Sequence, residues 1–167
     1  RVNRPGLEAL YLSLDPETAV KEYQQVSTLL PPGTLVSYRF AVYPVIDFRS
    51  GYDPAEWSNI WEDFFCDWRE LWFHQRIEPP SWTIGDEVVA DGFKGILFHS
   101  RLSPNGTNLV IYPTVFDEND FISVHDPNNA LPKNQDSWEG RKAGERSSGR
   151  QKGQAIFERS NSPWKGK

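Results

Sequence analysis

Glu22 is the carboxylate of this sequence whose surroundings raise the question of chemistry. It lies in the helix predicted by "DPETAVKEY" (15–23), where Asp15 can cap free N–H groups and Pro16 suits the first helical position. At about 100° per residue, Glu22 falls at the margin of the helix's apolar face and not opposite it. The pattern leaves two interpretations open: a solvated surface carboxylate, or a carboxylate that projects into a cleft beside a sheet.

Ser100 ends the strand predicted by "GILFHS" (95–100). Neighbouring residues of a strand point to opposite faces, so His99 cannot serve Ser100 as a base, and a serine hydrolase is disfavoured. The histidines at 74, 99 and 125 are widely separated, which disfavours a metal site. The sequence also lacks a Gly-rich phosphate loop and the HExxH, CxxC and GxSxG motifs.

Strands and helices that would position these residues follow from the apolar patterns and the turn signals. Strands are predicted over 8–13, 34–48 (one long strand, or two joined at Pro44), 95–100, 107–116 and 121–127. Helices are predicted from Asp15 to about Gln25, from Asp53 through the aromatic segment 57–73, and over a short stretch capped by Ser81. Asn105-Gly106 predicts a hairpin. This order indicates an α+β fold, a single domain with a mixed, largely antiparallel sheet and flanking helices.

The helix predicted through "WSNIWEDFFCDWRELWF" carries one broad aromatic face. Such a stripe is typical of a core-facing helix. Its members are Trp57, Ile60, Trp61, Phe64, Phe65 and Trp68. Cys66 stands among them and is interpreted as a small buried hydrophobe.

Charge divides the chain into two parts. Residues 1–131 carry 9 Lys and Arg against 19 Asp and Glu, a net charge of −10, whereas residues 132–167 carry 9 against 4, a net charge of +5. We therefore predict an acidic domain over 1–131 and a basic, Gly/Ser-rich tail over 132–167 that is flexible or weakly docked. The acidic domain is a poor direct binder of nucleic acid.

The composition also bears on location. No run of 18 apolar residues is present, so no membrane span is predicted. A single cysteine rules out an internal disulfide framework and fits a reducing cytosol, so a cytoplasmic location is expected.

Blocks of the sequence resemble the RES domain family, which is named for its Arg, Glu and Ser. "GILFHSRLSPNGTNLVIY" is similar to the family's serine motif, which falls on Ser100. Val2 departs from the aromatic residue usual in the family's opening motif, and the resemblance covers about residues 1–126. "RVNRPGLEALYLSLDPETAVKEY" otherwise matches that opening motif at Arg1, Asn3, Gly6, Tyr11 and Glu22.

The resemblance implies a fold similar to that of ADP-ribosylating toxins and an enzyme that consumes NAD⁺. It implies the toxin component of a bacterial toxin–antitoxin system, one that cleaves the nicotinamide–ribose bond by hydrolysis or phosphorolysis. NAD⁺ would be the substrate, and no metal is expected. A small Xre-like antitoxin would block the site in a hetero-oligomer. A homodimer stays open as a further assembly. Direct contact with nucleic acid or membrane is not expected.

Family roles follow for the four matched residues. Cleavage builds positive charge on the ribose, which a carboxylate at Glu22 would stabilise while it holds a ribose hydroxyl. Arg1 would clamp the pyrophosphate or order the site. Tyr11 would stack on the nicotinamide or form a hydrogen bond with it. Ser100 would bind the nicotinamide amide or a ribose hydroxyl, as a polar positioning group.

Two alternatives stay open. The same fold could transfer ADP-ribose to a cellular protein, or the chain could be a non-catalytic interaction module. The residues do not decide whether water, phosphate or a protein accepts the ADP-ribosyl group.

Overall fold

Short strands and helices alternate along the chain. This computed structural model describes residues 1–25, 27–30 and 32–131, so the predicted basic tail at 132–167 lies outside the described residues. The strands are β1 (Leu10–Ser13), β2 (Tyr38–Ala41), β3 (Ile46–Asp47), β4 (Gly95–His99), β5 (Thr107–Ile111) and β6 (Phe121–Val124). The α-helices are α1 (Pro16–Gln24) and α2 (Pro80–Ala90), accompanied by 3-10 helices at Asn59–Phe65 and Pro113–Val115 and a π-helical segment at Glu70–Gln75.

Four strands form the main sheet in the order β1-β5-β4-β3. Strands β1 and β4 each pair antiparallel with β5, whereas β3 pairs parallel with β4. Strands β2 and β6 form a separate antiparallel pair. The predicted α+β fold with a mixed, largely antiparallel sheet in one domain is confirmed. The predicted hairpin joins β4 to β5, and Asn105 adopts a φ of 62°, a conformation that Asn tolerates.

Apolar side chains cover both faces of the main sheet. Ile96 and Phe98 of β4 face the cluster beneath α2 and the 3-10 helix Asn59–Phe65. Leu97, between them, faces a second cluster that Phe40 of β2 helps to close. Burial on both faces explains why β4 reads as a continuous apolar run.

Several predicted boundaries shift in the structure. The segment 34–48 forms two strands on either side of Pro44, as the second predicted alternative has it, but β2 and β3 are shorter than that segment and lie in different sheets. The helix predicted to be capped by Ser81 begins at Pro80 instead, since proline suits the first turn of a helix. Ser81 lies inside α2, and its hydroxyl donates to the carbonyl oxygen of Arg1 at 2.6 Å.

The aromatic segment 57–73 does not form the predicted continuous α-helix. It forms the 3-10 helix and then, after a break, the π-helical segment. Trp61 and Phe64 are buried three residues apart, a spacing that suits the three residues per turn of a 3-10 helix. Trp68, predicted to share the core face, packs against Phe73 instead. The remaining predicted members pack partly buried against the core: Trp57, Ile60 and Phe65.

Lys94, just before β4, forms a buried ion-pair cluster with two aspartates. Its side chain is 7% exposed and its ammonium contacts the carboxylates of Asp117 and Asp120, which are 53% and 3% exposed. Asp120 also accepts from the backbone N–H of Tyr43 at 3.2 Å. One buried carboxylate thus joins the segment between β2 and β3, the start of β4 and the segment before β6.

Removal of the Lys94 ammonium is expected to destabilise the domain strongly. Lys94→Met would leave the Asp120 carboxylate buried without its cation, at a cost of about 3–5 kcal/mol in the free energy of unfolding. Asp117→Asn is the matched control, because the Asp117 carboxylate is solvent-exposed and water screens its pair with Lys94, so a much smaller loss of stability is expected. Urea unfolding of both variants measures the difference, and equal losses would contradict a specific role for the buried pair.

Candidate functional site

Helix α1 starts as the sequence predicts and carries Glu22 towards the main sheet. Asp15 is the N-cap, and its Oδ1 accepts from the backbone N–H of Thr18 at 2.8 Å. Thr18 is 1% exposed and precedes Glu22 by four residues, so both side chains lie on one face of α1. Thr18 packs against Gly106 in the β4–β5 turn, where an added Cβ would lie 2.3 Å from the Thr18 hydroxyl oxygen.

Glu22 lies at the centre of a hydrogen-bond network whose other side chains come from the main sheet and the β4–β5 turn. Its Oε1 accepts from the Ser100 hydroxyl at 2.8 Å and from the Asn108 amide nitrogen at 2.7 Å. The Asn108 amide oxygen accepts from the Ser13 hydroxyl at 2.8 Å. Within the described part of the chain, Glu22 Oε2 has no hydrogen-bond partner and Glu22 forms no ion pair. One carboxylate oxygen is therefore held and the other is open.

The Ser100 hydroxyl is fully engaged within the protein. Besides its donation to Glu22, its oxygen accepts from the backbone N–H groups of Leu102 and Ser103, each at 3.0 Å. It has no histidine partner among the described residues, which agrees with the argument that His99 cannot serve it as a base. Ser100 is thus placed to orient Glu22, since its single proton is already donated.

Tyr11 anchors the first residues of the chain. Its hydroxyl accepts from the backbone N–H of Val2 at 2.9 Å and donates to the Asn3 side-chain oxygen at 2.7 Å. Burial raises the pKa of Tyr11 to about 12, although the bond from Val2 and the charge of Arg1 act in the opposite direction. The hydroxyl is therefore protonated at neutral pH and able to donate.

Val2 is held from a second side as well. It is 0% exposed, and its carbonyl oxygen accepts from the Tyr112 hydroxyl at 2.8 Å. Gly85 of α2 lies so close that an added Cβ would be 2.1 Å from that carbonyl oxygen. Two tyrosine hydroxyls and a glycine contact thus fix the backbone next to Arg1, whose own carbonyl is held by Ser81.

Arg1 is the least constrained of the predicted site residues. Its backbone is fixed, but its guanidinium makes no hydrogen bond or ion pair with the residues that the structure describes. The positive charge of Arg1 acts to lower the pKa of Tyr11. An unpaired guanidinium is suited to bind an anion.

The hydrogen-bond network around Glu22 and the hydrogen bonds of Tyr11 lie on the same face of the main sheet. Tyr11 and Ser13 are two residues apart on β1, where they oppose Val110 and Asn108 of β5. Residues two apart in a strand point to the same face and are separated by about 7 Å. The structure therefore joins Glu22 and Ser100 directly, and it places Tyr11 next along that face.

Sequence reasoning missed Asn108 and Ser13. Asn108 was visible only as the polar member of an otherwise apolar strand, "NLVIY" (108–112). A polar residue at a buried strand position needs a partner, and this was the available signal. Ser13 carried no signal, because a serine at the end of a strand is ordinary.

Neither a metal-ligand cluster nor a membrane-spanning helix occurs among the described residues. Residues 1–25, 27–30 and 32–131 contain no cluster of three or more His, Cys, Asp or Glu that could hold a metal ion. Over those same residues, every helix is too short or too polar for a bilayer span.

The fold and the site together define a mixed α+β domain in which Asn108 of β5 and Ser100, just after β4, hold a carboxylate over the main sheet. The model of the RES domain family matches residues 1–133. The chain therefore belongs to the RES domain family, as the resemblance indicated. RES domains are in general NAD-acting enzymatic domains. Curated proteins and solved structures gave no match, so the likeness to ADP-ribosylating toxins stays a prediction.

Proposed function

We propose that this chain cleaves the nicotinamide–ribose bond of NAD⁺, by hydrolysis or phosphorolysis, as the toxin of a toxin–antitoxin pair. The observation that carries the proposal is the state of Glu22, whose Oε1 is held by two neutral donors while Oε2 is open. Neutral donors orient a carboxylate without cancelling its charge. A full negative charge on a fixed oxygen is what an oxocarbenium-like ribose needs for stabilisation.

Three further residues have narrower roles in this proposal than the family resemblance implies. Ser100 acts through Glu22, because its proton is donated there. The Tyr11 hydroxyl is occupied by Val2 and Asn3, so the 40% exposed Tyr11 is available to nicotinamide through its ring face alone. Arg1 is the candidate clamp for the pyrophosphate, since its guanidinium can form two parallel bonds to phosphate oxygens.

The purified protein is expected to deplete NAD⁺ and release nicotinamide. Chromatography with mass detection, with and without inorganic phosphate, identifies the second product. Free ADP-ribose supports hydrolysis, and ADP-ribose 1″-phosphate that forms only with phosphate supports phosphorolysis. Label from NAD⁺ retained on a cellular protein would favour the ADP-ribosyltransferase alternative. If the protein neither binds nor consumes NAD⁺, the proposal is overturned in favour of a non-catalytic interaction module.

An Xre-like antitoxin as partner and a cytoplasmic location belong to the same proposal. Val20 and Tyr23 of α1, the helix that carries Glu22, are 38% and 53% exposed, which supports a covering protein at this helix. Expression of the active chain alone in bacteria is then expected to lower cellular NAD⁺ and stop growth, and unchanged NAD⁺ would count against the toxin role.

A further inference from the structure

Asn108 is a buried amide in a strand whose other inner positions are apolar. It is 5% exposed, and the next three residues of β5, Leu109, Val110 and Ile111, are 2%, 0% and 0% exposed. A buried amide costs free energy unless its donor and acceptor are both paired. The buried Asn108 amide therefore needs hydrogen-bond partners for both its nitrogen and its oxygen.

Both ends of the Asn108 amide are paired, and the chemistry of its partners fixes its orientation. A carboxylate oxygen can only accept, so the amide nitrogen has to face Glu22. The amide oxygen then faces Ser13, whose hydroxyl donates to it at 2.8 Å. Ser13 thus holds the amide in the direction that serves Glu22.

We propose that Asn108 is a positioning residue that, together with Ser100, holds Oε1 of Glu22 and so directs Oε2 at the substrate ribose. This role rests on the proposed NAD⁺ cleavage. A lysine or arginine at the same place would hold the carboxylate equally well but would neutralise it, whereas an amide leaves the charge intact. Asn108 acts on the reacting atoms through Glu22, to which one of its two amide N–H groups donates.

Asn108→Asp is the sharpest test, because it keeps the shape and replaces the donor by a second carboxylate. Two carboxylates within hydrogen-bond distance share a proton, and one of their apparent pKa values rises. In the wild type, no charged side chain among the described residues bonds to Glu22. Arg101, which follows Ser100 in the chain, donates to the Phe65 carbonyl oxygen. We expect kcat at pH 7 to fall about 10- to 100-fold with KM little changed. Activity should recover as the pH rises, so the acid limb of the pH profile moves upward.

Asn128→Asp adds the same charge at an exposed position and is expected to leave the pH profile unchanged. Ser13→Ala is the second variant and serves if Asn108→Asp fails to fold. It keeps every charge but frees the amide to turn, and kcat is expected to fall several-fold at constant KM. A loss confined to KM, or an unmoved acid limb in folded Asn108→Asp, would overturn the positioning role.

The titration of Glu22 separates this inference from the proposed function. With ¹³C-labelled glutamate, carboxyl NMR of the full chain follows the pKa of Glu22 without any turnover. A higher pKa for Glu22 in Asn108→Asp than in wild type supports the coupling, and an unchanged pKa overturns it. If wild type consumes no NAD⁺, the proposed function fails, while the same NMR comparison still decides whether Asn108 controls Glu22.

Discussion

Glu22→Gln is expected to reduce NAD⁺ consumption by at least about 100-fold while the fold stays intact. Glutamine keeps an Oε1 that can accept from Ser100 and Asn108, so the two bonds of 2.8 and 2.7 Å survive the change. Only the negative charge is lost, and with it the stabilisation of positive charge on the ribose. Initial rates of nicotinamide release, with unfolding by urea in parallel, measure the two effects separately.

Glu17→Gln is the matched control, because it removes the same charge from the exposed first turn of the same helix, where Glu17 pairs with Lys21. It is expected to keep full activity. Glu22→Ala should also be inactive, but it should lose about 1–3 kcal/mol of stability as well, since the buried Asn108 donor is left unpaired. Equal NAD⁺ depletion by wild type, Glu22→Gln and Glu22→Ala would remove Glu22 from the reaction.

Gly106→Ala is expected to lower activity by about 10- to 100-fold through displacement of α1. Its Cβ would lie 2.3 Å from the Thr18 hydroxyl oxygen, 2.8 Å from the Ser103 Cβ and 3.0 Å from the Thr18 methyl group, so rotation of Thr18 cannot relieve the clash. The helix has to move away from the β4–β5 turn, and Glu22 moves with it from Ser100 and Asn108. Stability should fall by about 1–3 kcal/mol, as is usual for overpacking.

Thr18→Ala in the same chain provides the rescue. It removes the two Thr18 atoms that the new methyl group would strike but leaves the Ser103 Cβ at 2.8 Å, so the double variant should recover part of the activity and stability lost by Gly106→Ala. Thr18→Ala alone loses no hydrogen bond among the described residues but leaves a small cavity at a buried site, so a modest loss of stability is expected, and it serves as the baseline for the double variant. An inactive double variant with wild-type stability would show that the Thr18–Gly106 contact does not set the position of Glu22.

Local signals were sufficient for several parts of the fold. Asp15 and Pro16 fixed the start of α1, because a cap and a first-turn proline act within four residues of each other. Asn105-Gly106 likewise predicted the β4–β5 hairpin from a turn of a few residues. The prediction of a continuous α-helix over the aromatic segment 57–73 was wrong, because its apolar spacing fits several kinds of helix. Packing of Trp61 and Phe64 against Phe48 decided in favour of the 3-10 form.

In the candidate site, too, some features followed from the sequence and others only from the tertiary structure. The sequence by itself determined the family, the types of Arg1, Tyr11, Glu22 and Ser100, the helix that carries Glu22, and the strand that ends one residue before Ser100. Helical phase left Glu22 at the margin of the apolar face, with no means to choose between solvent and site. The tertiary structure decided that choice, because the contact of Thr18 with Gly106 docks α1 on the β4–β5 turn.

The partners of Glu22 lie 78 and 86 residues away along the chain, at Ser100 and Asn108. Residue spacing within one helix or strand carries no information about which distant side chain it will meet. That pairing depends on the order of strands in the sheet, which places β5 between β1 and β4 and so brings Ser13, Asn108 and Ser100 together beneath one carboxylate.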